Sequence, residues 1–169
     1  MNTIAFLTNI EKKQFGFFGG YLVLNLMGQP LEFHCTTPVK PNRAQKILYG
    51  PTLRPFLFSE RLGETLVRKS RQSADVIFVD QPEVLPLGAH VKKPVVLVLE
   101  EDDPPEDGLI IQPCLELFLA MPQEDEKTLT GITLELENEQ PGVHLFEPFD
   151  RIREAIGEAL GAMAPRKAA

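Results

Sequence analysis

Two short, continuous apolar runs place the strongest constraint on the fold of this 169-residue chain. The first spans Ala74 to Asp80 (ADVIFVD), and the second spans Pro94 to Glu100 (PVVLVLE). Both have the length of a strand and are rich in β-branched residues, which is typical of strands covered on both faces. The residues between them have room for a loop or one helical turn as a crossover. We therefore predict a parallel pair of strands inside a covered sheet.

Three more predicted strands precede this pair, in residues 3–8, 17–26 and 31–36. Only the short turns EKKQFG and MGQP separate them, so we predict an antiparallel meander. In the third strand, Leu31, Phe33 and Cys35 alternate with polar residues and therefore share one face.

Helices are predicted from capping residues and apolar spacing. Asn42 is a suitable N-cap for a short helix through residue 48. A second helix is predicted over residues 55–72 and a third over residues 147–163, each with one apolar stripe. The stripe of the second helix consists of Phe58, Leu62 and Leu66.

The remaining segments complete the predicted sheet. Residues 109–112 and 115–120 are predicted to form short strands. Residues 129–137 are predicted to form an edge strand, because apolar and polar residues alternate there. The predicted fold is a mixed α/β sheet of three antiparallel strands plus two or more parallel strands, flanked by helices, in ribonuclease H-like order. We expect one domain over residues 1–163, followed by a disordered tail over residues 164–169.

The run from Tyr49 through Val79 and Asp80 resembles the endonuclease V form of the ribonuclease H-like fold. The resemblance implies a topology. Nucleases of that family carry an aspartate on the first strand, where this chain has Leu7, Thr8 and Asn9. They also carry Asp-Gly after the central strand, whereas Asp80 is followed by Gln81. These differences argue against carrying the nuclease activity over to this chain.

Two acidic residues are candidate metal ligands. Asp80 and Glu100 end the two buried strands at the edge of the sheet where α/β proteins usually bind ligands. Carboxylate oxygens at this edge are suitable for Mg²⁺. The alternative, which we favour, is that both strands simply end in a polar residue where they meet water.

A basic segment is a candidate anion site. Its predicted anion contacts are Lys40, Arg43, Lys46 and Arg54, and the segment continues with Arg61, Arg68, Lys69 and Arg71. Aromatic residues lie between such basic residues in many proteins that bind nucleic acids, as Tyr49 and Phe56 do here. The spacing also fits the solvent faces of ordinary helices, and the low isoelectric point of about 5.0 opposes binding to polyanions. Residues 1–72 contain ten basic and four acidic residues, whereas residues 73–169 contain seven basic and twenty acidic residues.

Aromatic residues crowd the second predicted strand. They are Phe15, Phe17, Phe18 and Tyr21. Because neighbouring residues of a strand face opposite sides, Phe17 and Phe18 require either two covered faces or one ring exposed to a partner. The exposed alternative predicts a contact with another subunit or protein.

Common catalytic motifs are absent from the sequence. It has no phosphate-binding glycine loop and no nucleophile elbow, and its two cysteines, Cys35 and Cys114, are expected as buried free thiols. We predict a non-catalytic protein-interaction or self-associating module without a cofactor, acting as a homodimer or with a protein partner, and we do not expect nucleic acid as a partner. The alternatives are a metal-dependent nuclease or hydrolase relative, and a nucleic-acid or nucleotide sensor that uses the basic helices. Without an export signal or membrane span, the expected compartment is the cytoplasm.

Overall fold

The computed structural model describes residues 1–163 and contains one seven-stranded sheet with the strand order β3-β2-β1-β4-β5-β7-β6. The strands are β1 (Thr3–Lys12), β2 (Gly16–Asn25), β3 (Pro30–Cys35), β4 (Val76–Val79), β5 (Val95–Leu99), β6 (Leu109–Cys114) and β7 (Leu117–Pro122).

The helices begin with α1 (Arg43–Tyr49). Three helical segments then follow without interruption, Leu53–Pro55, Phe56–Glu64 and Thr65–Lys69, and we call them α2 together; the middle segment has the wider π-helical turn. The other helices are α3 (Leu87–Val91), α4 (Glu126–Glu139) and α5 (Glu147–Met163). Short 3₁₀ turns occur at Gly50–Thr52, Pro82–Val84 and Gln123–Asp125.

The centre of the sheet is parallel and its two flanks are antiparallel. β1 pairs parallel with β4, and β4 pairs parallel with β5. β1, β2 and β3 form the predicted meander, and β7 pairs antiparallel with both β5 and β6. These directions and the strand order confirm the predicted mixed sheet in ribonuclease H-like order.

Helices cover both faces of the central strands. On one face, Ile4, Phe6, Phe78 and neighbouring residues pack with α4 and α5, and Phe149 of α5 contacts Phe6 edge to face. On the other face, alternate residues of the same strands pack with α2, whose predicted stripe of Phe58, Leu62 and Leu66 is buried. Burial on both sides explains the continuous apolar runs of β4 and β5.

The predicted edge strand at residues 129–137 is wrong, because these residues belong to helix α4. The buried residues Leu129, Ile132, Thr133 and Leu136 recur at the spacing of one helical face. Leu134, which a strand would have buried together with Ile132 and Leu136, is 56% exposed. The alternation was therefore a coincidence within a helical pattern.

Most predicted elements end within about three residues of those in the structure, but β1 continues four residues beyond its predicted end, to Lys12. Of the two cysteines expected to be buried, Cys114 is buried and Cys35 is exposed. α1 begins after Asn42 in a reciprocal capping box with Gln45, as the N-cap prediction requires. α5 has the predicted bounds. The predicted disordered tail, residues 164–169, lies outside the described residues. No helix among residues 1–163 is long and apolar enough to cross a membrane.

Candidate functional site

Two parallel strands bring Thr8 and Asp80 together at the carboxyl end of β4, where β1 continues to Lys12. Leu7 of β1 is in register with Val79 of β4, so the residues that follow, Thr8 and Asp80, lie side by side. Both side chains face α5, because they alternate with Leu7 and Val79, which face α2. This edge, beyond the carboxyl ends of parallel strands, is where open α/β sheets usually bind their ligands.

The carboxylate of Asp80 is buried and forms an ion pair with Arg153 of α5. Only 4% of the Asp80 side chain is exposed, and its Oδ2 accepts a hydrogen bond from Nη2 of Arg153. The same Nη2 lies 3.5 Å from Oγ1 of Thr8, and Nη1 of Arg153 lies 3.2 Å from Oδ1 of Asp150. One guanidinium therefore bridges two carboxylates beside β1 and β4.

Burial raises the pKa of Asp80 above its ordinary value, while a hydrogen bond with Thr8 and the positive charge of Arg153 act in the opposite direction. The other carboxylate oxygen, Oδ1, is buried and has no hydrogen-bond partner among the described residues. The site thus holds a carboxylate with one oxygen paired to a cation and one buried oxygen that is unpaired among the described residues.

On the opposite face of the same edge, Asn9 of β1 and Gln81 are paired. The side chain of Gln81 bonds both main-chain groups of Asn9, which extends the pairing of β1 and β4 beyond the end of β4. The Oδ1 atom of Asn9 is buried and unpaired among the described residues, close to Gly19 and Leu66. Asn9 therefore faces α2 and does not join the group formed by Thr8, Asp80 and Arg153.

The second predicted metal ligand, Glu100, lies farther out. Val79 is in register with Leu97, so Glu100 follows its strand two residues beyond the position of Asp80, or about 7 Å along the strand. Glu100 is exposed, and Asp80 bonds Arg153 instead. Within residues 1–163, no group of three or more acidic, histidine or cysteine side chains is placed to hold a metal ion. A divalent metal does not fit this donor set, because a hydroxyl and a guanidinium stand where further carboxylates would be needed.

Basic residues lie in the turn between β1 and β2 and in the segment that leads into and through α1. Phe17 and Val39 exchange two main-chain hydrogen bonds of 2.8 Å, which brings the segment before α1 against the turn between β1 and β2. Segments 11–15 and 36–49 together contain five basic residues and one acid, Glu11. The five define what we call the basic surface: Lys12, Lys13, Lys40, Arg43 and Lys46. All five are exposed.

Helix α1, which carries part of the basic surface, buries none of its side chains. Its apolar residues face water: Ile47 is 68% exposed and Leu48 is 83% exposed. The ring of Tyr49 stacks on that of Phe56 with the centroids 4.7 Å apart. This helix adds little to the core, so its exposed leucine and isoleucine are not explained by packing within the chain.

The fourth predicted anion contact, Arg54, is engaged within the chain. Its guanidinium carbon lies 4.7 Å above the centre of the Phe58 ring, and its Nε is 3.4 Å from a carboxylate oxygen of Glu83. Cation–π contact and an ion pair hold this arginine in place. Arg54 is therefore less available to an external anion than Lys40, Arg43 and Lys46.

The aromatic residues of β2 are covered by the chain itself. Phe17, Phe18 and Tyr21 are 8%, 4% and 1% exposed, since α2 covers one face and α5 the other. Phe15, in the turn before β2, is 48% exposed and contacts Phe18 edge to face. The three buried rings are therefore not available to a partner.

A groove of about 700 Å³ runs beside α3 on the face of the sheet that holds α2. Its walls include Pro55, Pro82, Pro86 and Pro94. Four acids line it, Glu83, Glu106, Glu124 and Asp125, against two lysines, Lys92 and Lys93. This charge balance makes the groove a poor site for a phosphate backbone.

Sequence reasoning missed Arg153 as the partner of Asp80. Arg153 stands beside the apolar stripe of α5, and it meets Asp80 from 73 residues away in the sequence. The only available signal was the place of Thr8 on β1, where a nuclease of the resembled family has an acid. With no second acid at this place to share a metal ion, the buried carboxylate of Asp80 needs another positively charged partner. The sequence does not identify that partner.

No protein-family model matches the chain, and no curated protein is significantly similar to it. Solved structures are similar in part. Human endonuclease V is 14% identical over 60% of this chain, with a TM-score of 0.42, and the match spans about half of the human chain (46%). Endonuclease V from Ciona intestinalis, in complex with a DNA that contains an inosine followed by a ribo-adenosine, is 10% identical over 72% of this chain and 70% of its own, with a TM-score of 0.44.

An Argonaute from Marinitoga piezophila, bound to guide RNA and target DNA, is 11% identical over 85% of this chain and 26% of its own, with a TM-score of 0.35. The fold assignment rests on this chain's own strand order and directions.

Two predictions about function need correction. The prediction of a non-catalytic, self-associating or protein-interaction module is wrong, because the three rings that motivated a protein contact are buried within the chain. The expectation of a protein partner rather than nucleic acid is wrong on the same ground, because the protein contact was predicted from these rings.

Proposed function

We propose that this chain is a ribonuclease H-like domain that binds nucleic acid through the basic surface at the carboxyl edge of β1. The observation that carries the proposal is helix α1, which buries no side chain yet holds Arg43 and Lys46 beside exposed Ile47 and Leu48. Positive charges bind phosphates, and apolar side chains next to them can contact bases. The nucleic acids held by the similar solved structures are consistent with such a partner.

The distribution of charge supports this location despite the net charge of −7. Acidic residues concentrate in the second half of the chain, above all in the loop from Glu100 to Asp107 that follows β5. Lys12 lies four residues beyond Thr8, about 13 Å along β1, on the same side of the sheet edge as Lys40. A polyanion is therefore attracted to the β1 end of the edge and repelled from the β5 end.

Metal-dependent cleavage through Asp80 and Glu100 is the less well supported candidate, because Asp80 is paired to Arg153 and Glu100 is exposed and farther out. The proposed activity of the domain is therefore binding alone. The predicted cytoplasmic compartment stays part of the proposal.

The experiment is a fluorescence anisotropy titration of labelled single-stranded and double-stranded oligonucleotides, both DNA and RNA, with the whole chain at several salt concentrations. We expect saturable binding whose logarithmic affinity falls with the logarithm of salt, with a slope of about −2 to −4 for a site of three to five phosphate contacts. Absence of binding to every oligonucleotide at low salt would contradict the proposal.

A further inference from the structure

At the carboxyl edge of β1 and β4, the positive charge that balances the buried carboxylate belongs to the protein itself. We propose that the guanidinium of Arg153 is the resident cation of this edge, in the place of a divalent metal, so that the domain binds its nucleic acid without metal. Metal-free binding of nucleic acid rests on the proposed function, whereas the role of Arg153 as the resident cation does not.

Arg153 connects the acids as a metal ion would. Its Nη2 donates to Oδ2 of Asp80, and its Nη1 lies 3.2 Å from Oδ1 of Asp150, one turn earlier on α5. Two carboxylates from different elements thus converge on one cationic group. A divalent ion placed between them would have to displace the guanidinium or lie against it, and like charges at such a distance repel strongly in a partly buried site.

The burial of Asp80 makes a cation necessary at this point. With only 4% of its side chain exposed, the ionised carboxylate cannot rely on water, and a buried charge without a partner is costly. Thr8 contributes a hydroxyl and no charge. Arg153 is therefore the group among the described residues that balances Asp80 directly.

The unpaired Oδ1 atom of Asp80 indicates where a metal would coordinate without Arg153. Oδ1 is buried and has no hydrogen-bond partner among the described residues, so its lone pairs remain available. If the guanidinium were removed, Oδ1, Oδ2 and the neighbouring Asp150 would offer oxygen ligands to a small cation. The inference therefore predicts that metal binding is absent from the natural chain and appears when Arg153 loses its charge.

Titration with Mn²⁺, followed by calorimetry and by the electron paramagnetic resonance of free Mn²⁺, tests this inference directly. We expect no saturable binding to the natural chain up to about 10 mM. Arg153→Met should bind Mn²⁺ at least about tenfold more tightly than the natural chain. The double variant Arg153→Met with Asp80→Asn should lose this binding, and the matched control Arg153→Lys, which keeps a cation, should behave like the natural chain.

Two results would overturn the inference: Mn²⁺ binding by the natural chain that Asp80→Asn abolishes, or binding by Arg153→Met no tighter than by the natural chain. If Arg153→Met does not fold, as judged by circular dichroism, Arg153→Gln replaces it, because glutamine removes the charge and keeps hydrogen-bonding groups. Nucleic-acid affinity in EDTA and in millimolar Mg²⁺ is the second measurement. Equal values support the inference, and affinity at least about tenfold higher with Mg²⁺ overturns it whether or not either variant folds.

Failure of the proposed function gives a different result. A chain that binds no oligonucleotide under any condition contradicts the proposed function, while the Mn²⁺ titrations still decide whether Arg153 holds the place of a metal.

Discussion

The side-chain amide of Gln81 pairs with the main chain of Asn9. Oε1 of Gln81 accepts from the Asn9 N–H at 2.9 Å, and Nε2 donates to the Asn9 carbonyl at 2.9 Å. This side chain therefore continues the ladder between β1 and β4 by one step.

Gln81→Ala leaves the N–H and the carbonyl of Asn9 without these partners in a part-buried place, and we expect a loss of about 1–3 kcal/mol in the free energy of unfolding. Urea denaturation measures the loss. Gln14→Ala, in the exposed turn before β2, is the control and should change the unfolding free energy by less than about 0.5 kcal/mol.

A pH-dependent contribution to stability comes from Glu32 of β3. Its carboxylate accepts main-chain hydrogen bonds from Arg71 and Gln72 and side-chain hydrogen bonds from Ser70 and His34. These bonds connect β3 to the residues that follow α2. These bonds, the one from Arg71 first, lower the pKa of Glu32 to about 2. A lowered pKa in the folded state means that the contribution is complete above about pH 4.5 and is lost as the pH falls towards about 2.

Glu32→Gln tests this contribution. At pH 7 we expect the melting temperature of the variant to lie about 3–6 °C below that of the natural chain. The difference should shrink as the pH is lowered from about 4.5 towards 2, because the natural chain then loses the same charge. Glu154→Gln, at an exposed position of α5, is the control. A gap that stays constant across this pH range would mean that the charge of Glu32 contributes nothing.

The contact between β2 and α5 depends on the absence of a side chain at Gly20. A Cβ atom added there would lie 2.2 Å from Cγ2 of Ile152, far inside contact distance. We expect Gly20→Ala to cost about 1–3 kcal/mol through overpacking. Ile152→Ala alone should cost about 2–5 kcal/mol because Ile152 is fully buried. The double variant should be less destabilised than the sum of the two by at least about 1 kcal/mol, and simple additivity in chemical denaturation would argue against the contact.

Two leucines distinguish the core helix α2 from the exposed helix α1. Leu62 is 1% exposed and packs against the sheet, whereas Leu48 is 83% exposed. Leu62→Ala should lower the free energy of unfolding by about 2–5 kcal/mol. Leu48→Ala should change it by less than about 0.5 kcal/mol. Equal denaturation midpoints for the two variants would show that the stripe on α2 is not the buried one.

Local patterns predicted most of the fold but failed at α4. Residues Ile132 and Leu136 are spaced by four, which satisfies both a strand that alternates every two residues and a helix that turns every 3.6. Leu134 made the strand pattern look complete, although it is exposed. Two features distinguish the helix: the buried Leu129 and a length of 14 residues. Neither could be preferred over the nine-residue alternation without knowing which face of the segment is covered.

The candidate site was predictable only in part. The position of Asp80 follows from its place after a buried strand, and the register of β4 with β1 then puts it beside Thr8. The contact with Arg153 depends on how α5 crosses the sheet. The spacing of residues within α5 does not predict that orientation. The basic surface likewise depends on the bridge between Phe17 and Val39, which brings segments far apart in the sequence to one edge.

The most direct test of nucleic-acid binding by the basic surface is a comparison of two charge-reversal variants in the anisotropy titration. The first replaces Lys40, Arg43 and Lys46 with Glu, on segments that bury none of these side chains. The matched control replaces Arg68, Lys69 and Arg71 with Glu; these residues are also exposed, but they lie at the end of α2 that leads to the amino end of β4. Both variants change the net charge equally. We predict that the first weakens oligonucleotide binding at least about tenfold and flattens its salt dependence, while the control changes the affinity less than about threefold. Equal losses in the two variants would contradict a binding site at this edge of the sheet.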